Sequence, residues 1–385
     1  MKRVLPVLLV LALLLCACGG PAPTEPTAAP TAAPTAAPTA APTQPPTAAP
    51  TAPPTEAPTA PPTEPPTEPP TEPPTEEPTD PPVAYRNPLT GEPLDAPYVG
   101  RVFAVTINNV GAALPHRGVS QADVFFEMFI NDYCTRGLAL YSNVAEVESI
   151  GSIRSTRYNF TDLAMAYDLI LCHASASQAV LNDMYAQGVD QMNVDGAIGY
   201  RDYDRYETYA WEHCLFVTGE DLIEAAGNRD FDLAVENPDY GMKFAADGTP
   251  AAGEAASEVE IVFTLYGRYK TSKMIYDEAT GKYNYHQFST EELMVDESND
   301  QPEAFTNVFV ILAPTENDGV YHVADLYGEG EGYYACGGKI IKIKWVHEEE
   351  YDPFTFFLED GTPLVQGEGS SYIAIAPTGS PINYK

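Results

Sequence analysis

Hydrophobic and polar positions fall into three regimes along the chain. Residues 4–15 are an almost unbroken apolar run, and residues 19–83 contain no Leu, Ile, Phe, Lys or Arg. From residue 84 onward apolar side chains recur with the periods of strands and helices.

In this third regime residues 102–107, 122–130 and 135–144 predict strands. Along the second of them Asp123, Phe125, Glu127 and Phe129 share one face, while Val124, Phe126, Met128 and Ile130 share the other. Phe160, Leu163, Ala164 and Tyr167 then follow the spacing of a helix, and residues 169–172 are apolar on both faces, as an interior strand flanked by helices would be. Ser175 and Gln178 have the spacing of a capping box, opening a helix that Val180, Leu181, Met184 and Tyr185 make amphipathic and Gly188 stops. Residues 214–217 predict a strand, and Thr218, with Asp221 three positions on, caps a short helix. Residues 224–254 read as a connection. Beyond them the pattern is β: residues 259–266, a strand, turn and strand over 275–283, then 305–312, 340–345 and 372–376. The expected fold class is α+β or mixed α/β: an N-terminal mixed-sheet α/β domain over residues 84–240, followed by a mainly antiparallel β-rich C-terminal domain over residues 241–385, as an open sheet or small barrel.

The first two regimes change the picture from a soluble domain to a tethered one. Met1-Lys2-Arg3 and the apolar run have the form of a secretory signal, too short to span a bilayer. Cys16-Ala17-Cys18-Gly19 resembles a bacterial lipobox, so residues 1–17 are expected to be a lipoprotein signal peptide and Cys18 the acylated N-terminus. Cys16 fits less well because the large Leu15 precedes it. Two acyl chains suffice to hold a protein on the outer face of a cell membrane. An uncleaved signal anchor is the alternative. Residues 18–83, built from Thr-Ala-Ala-Pro and Thr-Glu-Pro-Pro repeats, cannot bury a core and predict a disordered, extended stalk. At about 3.1 Å per residue it reaches on the order of 200 Å.

The chain of 385 residues has 55 acidic and 20 basic residues, a net charge of −35, and loss of the signal would remove Lys2 and Arg3 as well. Such a balance argues against nucleic acid or anionic lipid as a direct partner. The partners expected are the membrane, through the N-terminal lipid, and a cell-wall or protein component. Cys134, Cys172, Cys214 and Cys336 lack the spacing of a compact disulfide framework and read as free thiols. No Cys/His cluster predicts a metal, and no motif predicts a cofactor.

Scarcity of positive charge draws attention to Ile150-Gly151-Ser152-Ile153-Arg154-Ser155-Thr156-Arg157 at a helix entrance. Glu127, between two phenylalanines on a buried face, needs a partner, and Arg136, Arg154 and Arg157 are the nearby candidates. His173 ends a strand just before a helix, a place where α/β sheets bind ligands and helix amides favour anions. His213 follows a stretch in which Tyr200, Tyr203, Tyr206, Tyr209 and Trp211 alternate with charges, as a binding groove or a polar lid would. Glu127, Arg154, Arg157, His173 and His213 are therefore the candidate ligand-binding residues of a surface binding or scaffolding module with an anion or peptide pocket. The alternative is a cell-envelope hydrolase or transferase using Glu127 with His173 or His213, the arginines clamping an oxyanion or phosphate. A Ser175, His213 and Asp202 triad can be drawn, but no spacing demands it.

Several stretches resemble the YerB-like lipoprotein family of bacteria, a domain of unknown function in N- and C-terminal parts. They are Asn87-Pro88-Leu89-Thr90-Gly91, Gly118-Val119-Ser120-Gln121-Ala122-Asp123 leading to Glu127, Thr135-Arg136 and the 150–157 motif. In the second part they are residues 276–283, Gly332-Tyr333-Tyr334, Gly337-Gly338-Lys339 and Trp345. The chain departs from the family pattern at Thr156, where the family has Ala, and at Trp211-Glu212-His213-Cys214, where it has an Ala-Pro-His-Asn-like run. The resemblance implies a two-part exported module and no established activity.

Overall fold

The strand Val124–Asn131 is buried at every position except Asn131. Its two faces enter different cores. Phe125 and Phe129 join Val105, Phe263, Tyr285 and Tyr372, whereas Val124, Phe126 and Met128 join Phe160, Leu163 and Tyr167. The alternation expected from the sequence is thus present, and both faces are apolar because the sheet is covered on both sides. The computed structural model describes residues 85–236, 238–288 and 292–385. The expected signal peptide, Cys18 and the stalk lie outside these residues.

That strand belongs to an eleven-stranded sheet. From one edge its order is Glu254–Ala255, Lys339–His347, Gly328–Cys336, Asn307–Ala313, Ser371–Pro377, Val124–Asn131, Cys134–Tyr141, Phe103–Asn109, Ile170–His173 and Gln191–Asn193, with Thr355–Leu358 also pairing on Lys339–His347. The sheet is mixed. Ser371–Pro377 runs parallel to both of its neighbours, and Ile170–His173 to both of its own. All seven residues of Ser371–Pro377 are buried, and its register sets Ala374 opposite Glu127. The expected division between residues 240 and 241 therefore does not separate two sheets: strands from both sides of it share this one.

The second sheet, in the order Ala304–Phe305, Lys282–Gln287, Arg268–Asp277, Glu258–Leu265 and Ile382–Tyr384, is antiparallel throughout and open rather than closed into a barrel. Phe263, Met274, Tyr283 and Phe305 pack it onto the Phe125 side of the large sheet. The opposite side is covered by helix α1, Tyr158–Ala166, while Met184 of helix α2, Gln178–Gln187, joins the same core. Short helix α3, Tyr203–Tyr206, and helix α4, Gly219–Gly227, complete the helices used below.

Local signals fared unevenly. Thr218 caps α4 by accepting from Asp221 N at 3.0 Å, and Gly188 ends α2 at φ +71°, as expected. The α2 cap is Ser177, which accepts from Val180 N, and not Ser175. Ser175 sits at φ +64°, a left-handed conformation incompatible with the extended backbone of an N-cap. The expected connection over residues 224–254 begins as the last turn of α4 and later becomes a strap, whose Phe244–Ala245 pairs with Gln366–Gly367.

Candidate functional site

Glu127 is fully buried, and both of its oxygens are engaged. Oε1 accepts from Asn109 Nδ2 at 3.0 Å, from Thr135 Oγ1 at 2.5 Å and from the Lys270 ammonium. Oε2 accepts from Ser272 Oγ and Tyr285 OH, each at 2.8 Å, and from Tyr372 OH. Burial alone would raise the carboxyl pKa, but the Lys270 charge and hydrogen bonds from Lys270, Thr135 and Tyr372 outweigh it and hold it below the ordinary range. Burial likewise lowers Lys270, with Glu127 opposing. This is an ion pair sealed between the two sheets, without a free lone pair for proton transfer.

The expected partners of Glu127 were the arginines, and the structure corrects this. Side-chain parity is the reason. Glu127 and Thr135 project toward the second sheet, whereas Arg136, directly after Thr135 on Cys134–Tyr141, projects to the other face beside Met128 and α1. Lys270 comes from a strand 143 residues away, beyond the reach of any local pattern.

On that other face three arginines gather at the start of α1. The segment leading to α1 is clamped by its backbone: Asn108 N donates to Ser152 O at 2.8 Å, Arg154 N to Thr106 O at 3.2 Å, Ala174 N to Arg154 O at 3.0 Å and Thr156 N to Ser175 O at 3.0 Å. Gly151 sits at φ +147°, where an added Cβ would lie 2.8 Å from Leu215 O, so the turn into the segment demands glycine. Ser155 O then accepts from both Arg136 Nη1, at 2.6 Å, and Arg157 Nη1, at 3.3 Å. Arg157 also donates to Thr156 O at 2.7 Å and lies over the Tyr321 ring, 4.0 Å from its centroid. Arg154 reaches Glu212 at 3.5 Å and is partly exposed.

Most arginines here face a carboxylate: Arg86, Arg101, Arg117, Arg201 and Arg205 each pair with one. Among the described residues Arg136 and Arg157 form no ion pair, and the Nε atoms of Arg136, Arg154 and Arg157 are buried without a partner, as are Ser152 Oγ and Asn108 Oδ1. Burial, with the charges of Arg157 and Arg154 added, pushes Arg136 down to about 9. Burial also lowers Arg157, although Tyr321 opposes it. Arg157 is itself the N-cap of α1 and gives no side-chain cap, and no acidic residue occupies the first turn, so the positive end of the helix adds to the cluster. Positive charge is thus concentrated at this end of α1 with no carboxylate paired to Arg136 or Arg157.

His213 joins the edge of this cluster. Its Nδ1 lies 2.8 Å from Asn108 Nδ2 and its Nε2 3.8 Å from Glu212. Burial lowers its pKa, Glu212 opposes this, and Arg154 and Arg205 add to it. His173 does not join. Its Nδ1 lies against Ser175 O at 3.1 Å and its Nε2 against Gln191 Oε1 at 2.8 Å, and burial keeps its pKa low, which describes a structural histidine. The triad side chains are engaged elsewhere too, since Asp202 caps α3 and binds Arg117 while His213 binds Asn108. Of the expected site residues the structure thus brings together Arg154, Arg157 and His213, joined by Arg136, which was expected only as a partner for Glu127. The strand parity already present in Thr135-Arg136 was the signal that could have moved it.

A cleft of about 890 Å³ opens elsewhere, between residues 245–254 and the Ile340 and Leu358 region, and none of the candidate residues lines it. Among the described residues Cys134, Cys172, Cys214 and Cys336 are free thiols, the last three of them buried. Among the described residues no group of three or more His, Cys, Asp or Glu side chains is arranged to hold a metal, and no helix is long and apolar enough to cross a membrane.

Comparison with known proteins agrees with the resemblance seen in the sequence. The chain is 25% identical over 309 residues to YerB of Bacillus subtilis (strain 168), whose name records lipoprotein character as an inference; the match spans 75% of this chain and 88% of that protein. The crystal structure of the YerB protein from Bacillus subtilis superposes with a TM-score of 0.67 at 23% identity, covering 77% of this chain and 99% of that one. Residues 89–232 match the N-terminal domain model of the protein family of unknown function DUF3048, and residues 261–373 match its C-terminal domain model. The chain belongs to the YerB-like DUF3048 family.

Proposed function

We propose that this protein is a lipid-anchored, extracytoplasmic binding module that recognises an anion at Arg136, Arg154 and Arg157. The observation that carries the reading is the pairing of Arg136 and Arg157 side by side without a carboxylate, in a chain where acids outnumber bases 55 to 20. Burying like charges together costs free energy that an incoming anion returns, through charge-assisted hydrogen bonds to guanidinium groups suited to carboxylate and phosphate. Arg136 forms the floor, Arg154 and Arg157 the mouth, and the α1 amides add donors. Glu212, exposed and loosely paired to Arg154, occupies part of the place the anion would take. Acylation at Cys18 and the Pro/Thr stalk would hold this module away from the outer face of the membrane. The lipoprotein character inferred for YerB supports that placement. The hydrolase alternative loses Glu127, which is sealed, and His173, which is held by its neighbours, and would rest on His213 alone.

Titration of inorganic phosphate, followed by calorimetry on the full chain, tests the reading. The parent should bind phosphate with an affinity that weakens as salt is added. Arg154→Gln with Arg157→Gln should abolish binding without lowering the thermal midpoint. Glu212→Gln should tighten binding several-fold, since it removes a competing carboxylate. If phosphate and acetate leave the parent unchanged, or Glu212→Gln weakens the interaction, the cluster is not an anion site.

A further inference from the structure

Beside the arginine cluster, and linked to it through Glu212, three large aromatic rings stand in solvent. Tyr203 is 70% exposed, Tyr206 50% and Trp211 42%. They touch one another: the Trp211 ring lies 5.7 Å from Tyr203 and 5.3 Å from Tyr206 between centroids. Arg201 supports Trp211, its guanidinium 4.9 Å from the ring centroid and its Nη1 donating to Trp211 O at 2.8 Å. The base is fixed as well, since Asp202 caps α3 through Arg205 N at 3.0 Å and binds Arg117 at 2.7 Å. A rigid patch of exposed rings is a surface held ready for a partner rather than a by-product of packing.

Trp211 is followed directly by Glu212, which meets Arg154, and by His213, which meets Asn108. The aromatic platform and the Arg154 end of the cluster are therefore joined through a single residue, Glu212. Flat aliphatic faces of sugar rings stack on aromatic faces, while their hydroxyl edges stay wet, which suits rings fringed by the polar groups of Asp204, Glu207 and the tyrosine hydroxyls. A nucleic acid, charged at every unit, would set phosphates against those acids, whereas a glycan charged on only some of its sugars can keep its negative groups on the arginines.

Resting on the anion-binding reading, we infer that the ligand is an anionic glycan, with its sugar rings on Tyr203, Tyr206 and Trp211 and its carboxylate or phosphate on Arg154, Arg157 and Arg136. The rings supply affinity for the saccharide, and the arginines select those that carry negative charge.

The test uses the full chain and four probes: inorganic phosphate, a neutral N-acetylglucosamine tetrasaccharide, the same backbone with a carboxylate ether on alternate sugars, and that backbone with a terminal phosphate. Trp211 fluorescence reports occupancy of the platform, because the only other tryptophan, Trp345, is fully buried. At least one charged tetrasaccharide should bind about tenfold or more tighter than phosphate, and the two charged forms identify which group is recognised. Tyr203→Ser with Tyr206→Ser, both exposed positions, should remove that gain and leave phosphate binding intact. Trp211→Ala should do the same if it folds. Arg154→Gln with Arg157→Gln should remove binding of both charged forms. A charged tetrasaccharide no tighter than phosphate, or a gain that survives loss of the tyrosines, overturns the glycan inference while the anion site stands. Absence of phosphate binding in the parent sinks the anion site itself, and a neutral tetrasaccharide that then binds as well as the charged ones overturns the inference of an anionic ligand.

Discussion

At the scale of single residues, Glu127 and the arginines are two solutions to the same difficulty, a charge out of water. Glu127 is neutralised internally by Lys270 and by five uncharged hydrogen-bond donors. Removing one partner leaves the other buried and unpaired, so Lys270→Met should cost about 3–5 kcal/mol in denaturant unfolding, and Glu127→Gln combined with Lys270→Met should recover much of it. The pH dependence has a definite sign. Because the folded carboxyl lies below the unfolded value, its stabilisation is present above about pH 4.3 and is lost as pH falls through the folded pKa. Acid unfolding should therefore come at higher pH in the parent than its stability at pH 7 suggests, and the double variant should show a flatter profile between pH 5 and pH 2. Glu127 could be flagged from its position between Phe125 and Phe129. Its partner could not, since nothing local distinguishes Lys270 from the other basic residues of its strand, Arg268 and Lys273.

At the scale of elements, α1 and α2 show how sequence signals succeed and fail. The apolar spacing from Phe160 to Tyr167 was legible because those side chains face the large sheet, although α1 is buried at seven of its nine positions. The α2 cap was misread because Ser175 and Ser177 are both plausible from spacing and only backbone conformation separates them. Ser177→Ala should thus cost about 1 kcal/mol of stability, a loss that Ser175→Ala should not reproduce through capping. α1 also carries Asp162, which burial, together with the charges of Asp183, Glu350 and Asp325, pushes up to about 7, with Asn159 opposing. The folded state then holds a proton that the unfolded state releases near pH 3.8, so stability is lost as pH rises from there through 7. Asp162→Asn should match the parent at pH 3.5 and exceed it at pH 8 by on the order of 2 kcal/mol, readable as a shift in thermal midpoint.

At the scale of the whole molecule, the strands were mostly legible and their arrangement was not. Residues 122–130, 305–312 and 372–376 each announce a buried strand. Nothing in their composition says that Asn307–Ala313, Ser371–Pro377 and Val124–Asn131 lie side by side and parallel, because that order is chosen by contacts between segments as much as 247 residues apart, such as Ser371 with Val124. The candidate site divides the same way: Arg154 and Arg157 are neighbours in sequence, while Arg136 reaches them by strand pairing. Residues 84–240 and 241–385, expressed apart, should each lack a cooperative unfolding transition, and should regain protected amides in Val124–Asn131 when mixed, as amide exchange would report.

The strand Ser371–Pro377 is interior to the large sheet and the last of that sheet's strands in sequence. A polypeptide threaded outward from its N-terminus through a narrow pore delivers this segment only after residues 85–370 have passed, so the large sheet cannot close while any of them is still inside. If the chain is exported as proposed, it would arrive outside in an unlocked state and lock only when this strand is delivered. A message truncated shortly before residue 371 would yield a product that remains open to proteases, however much of the molecule it encodes.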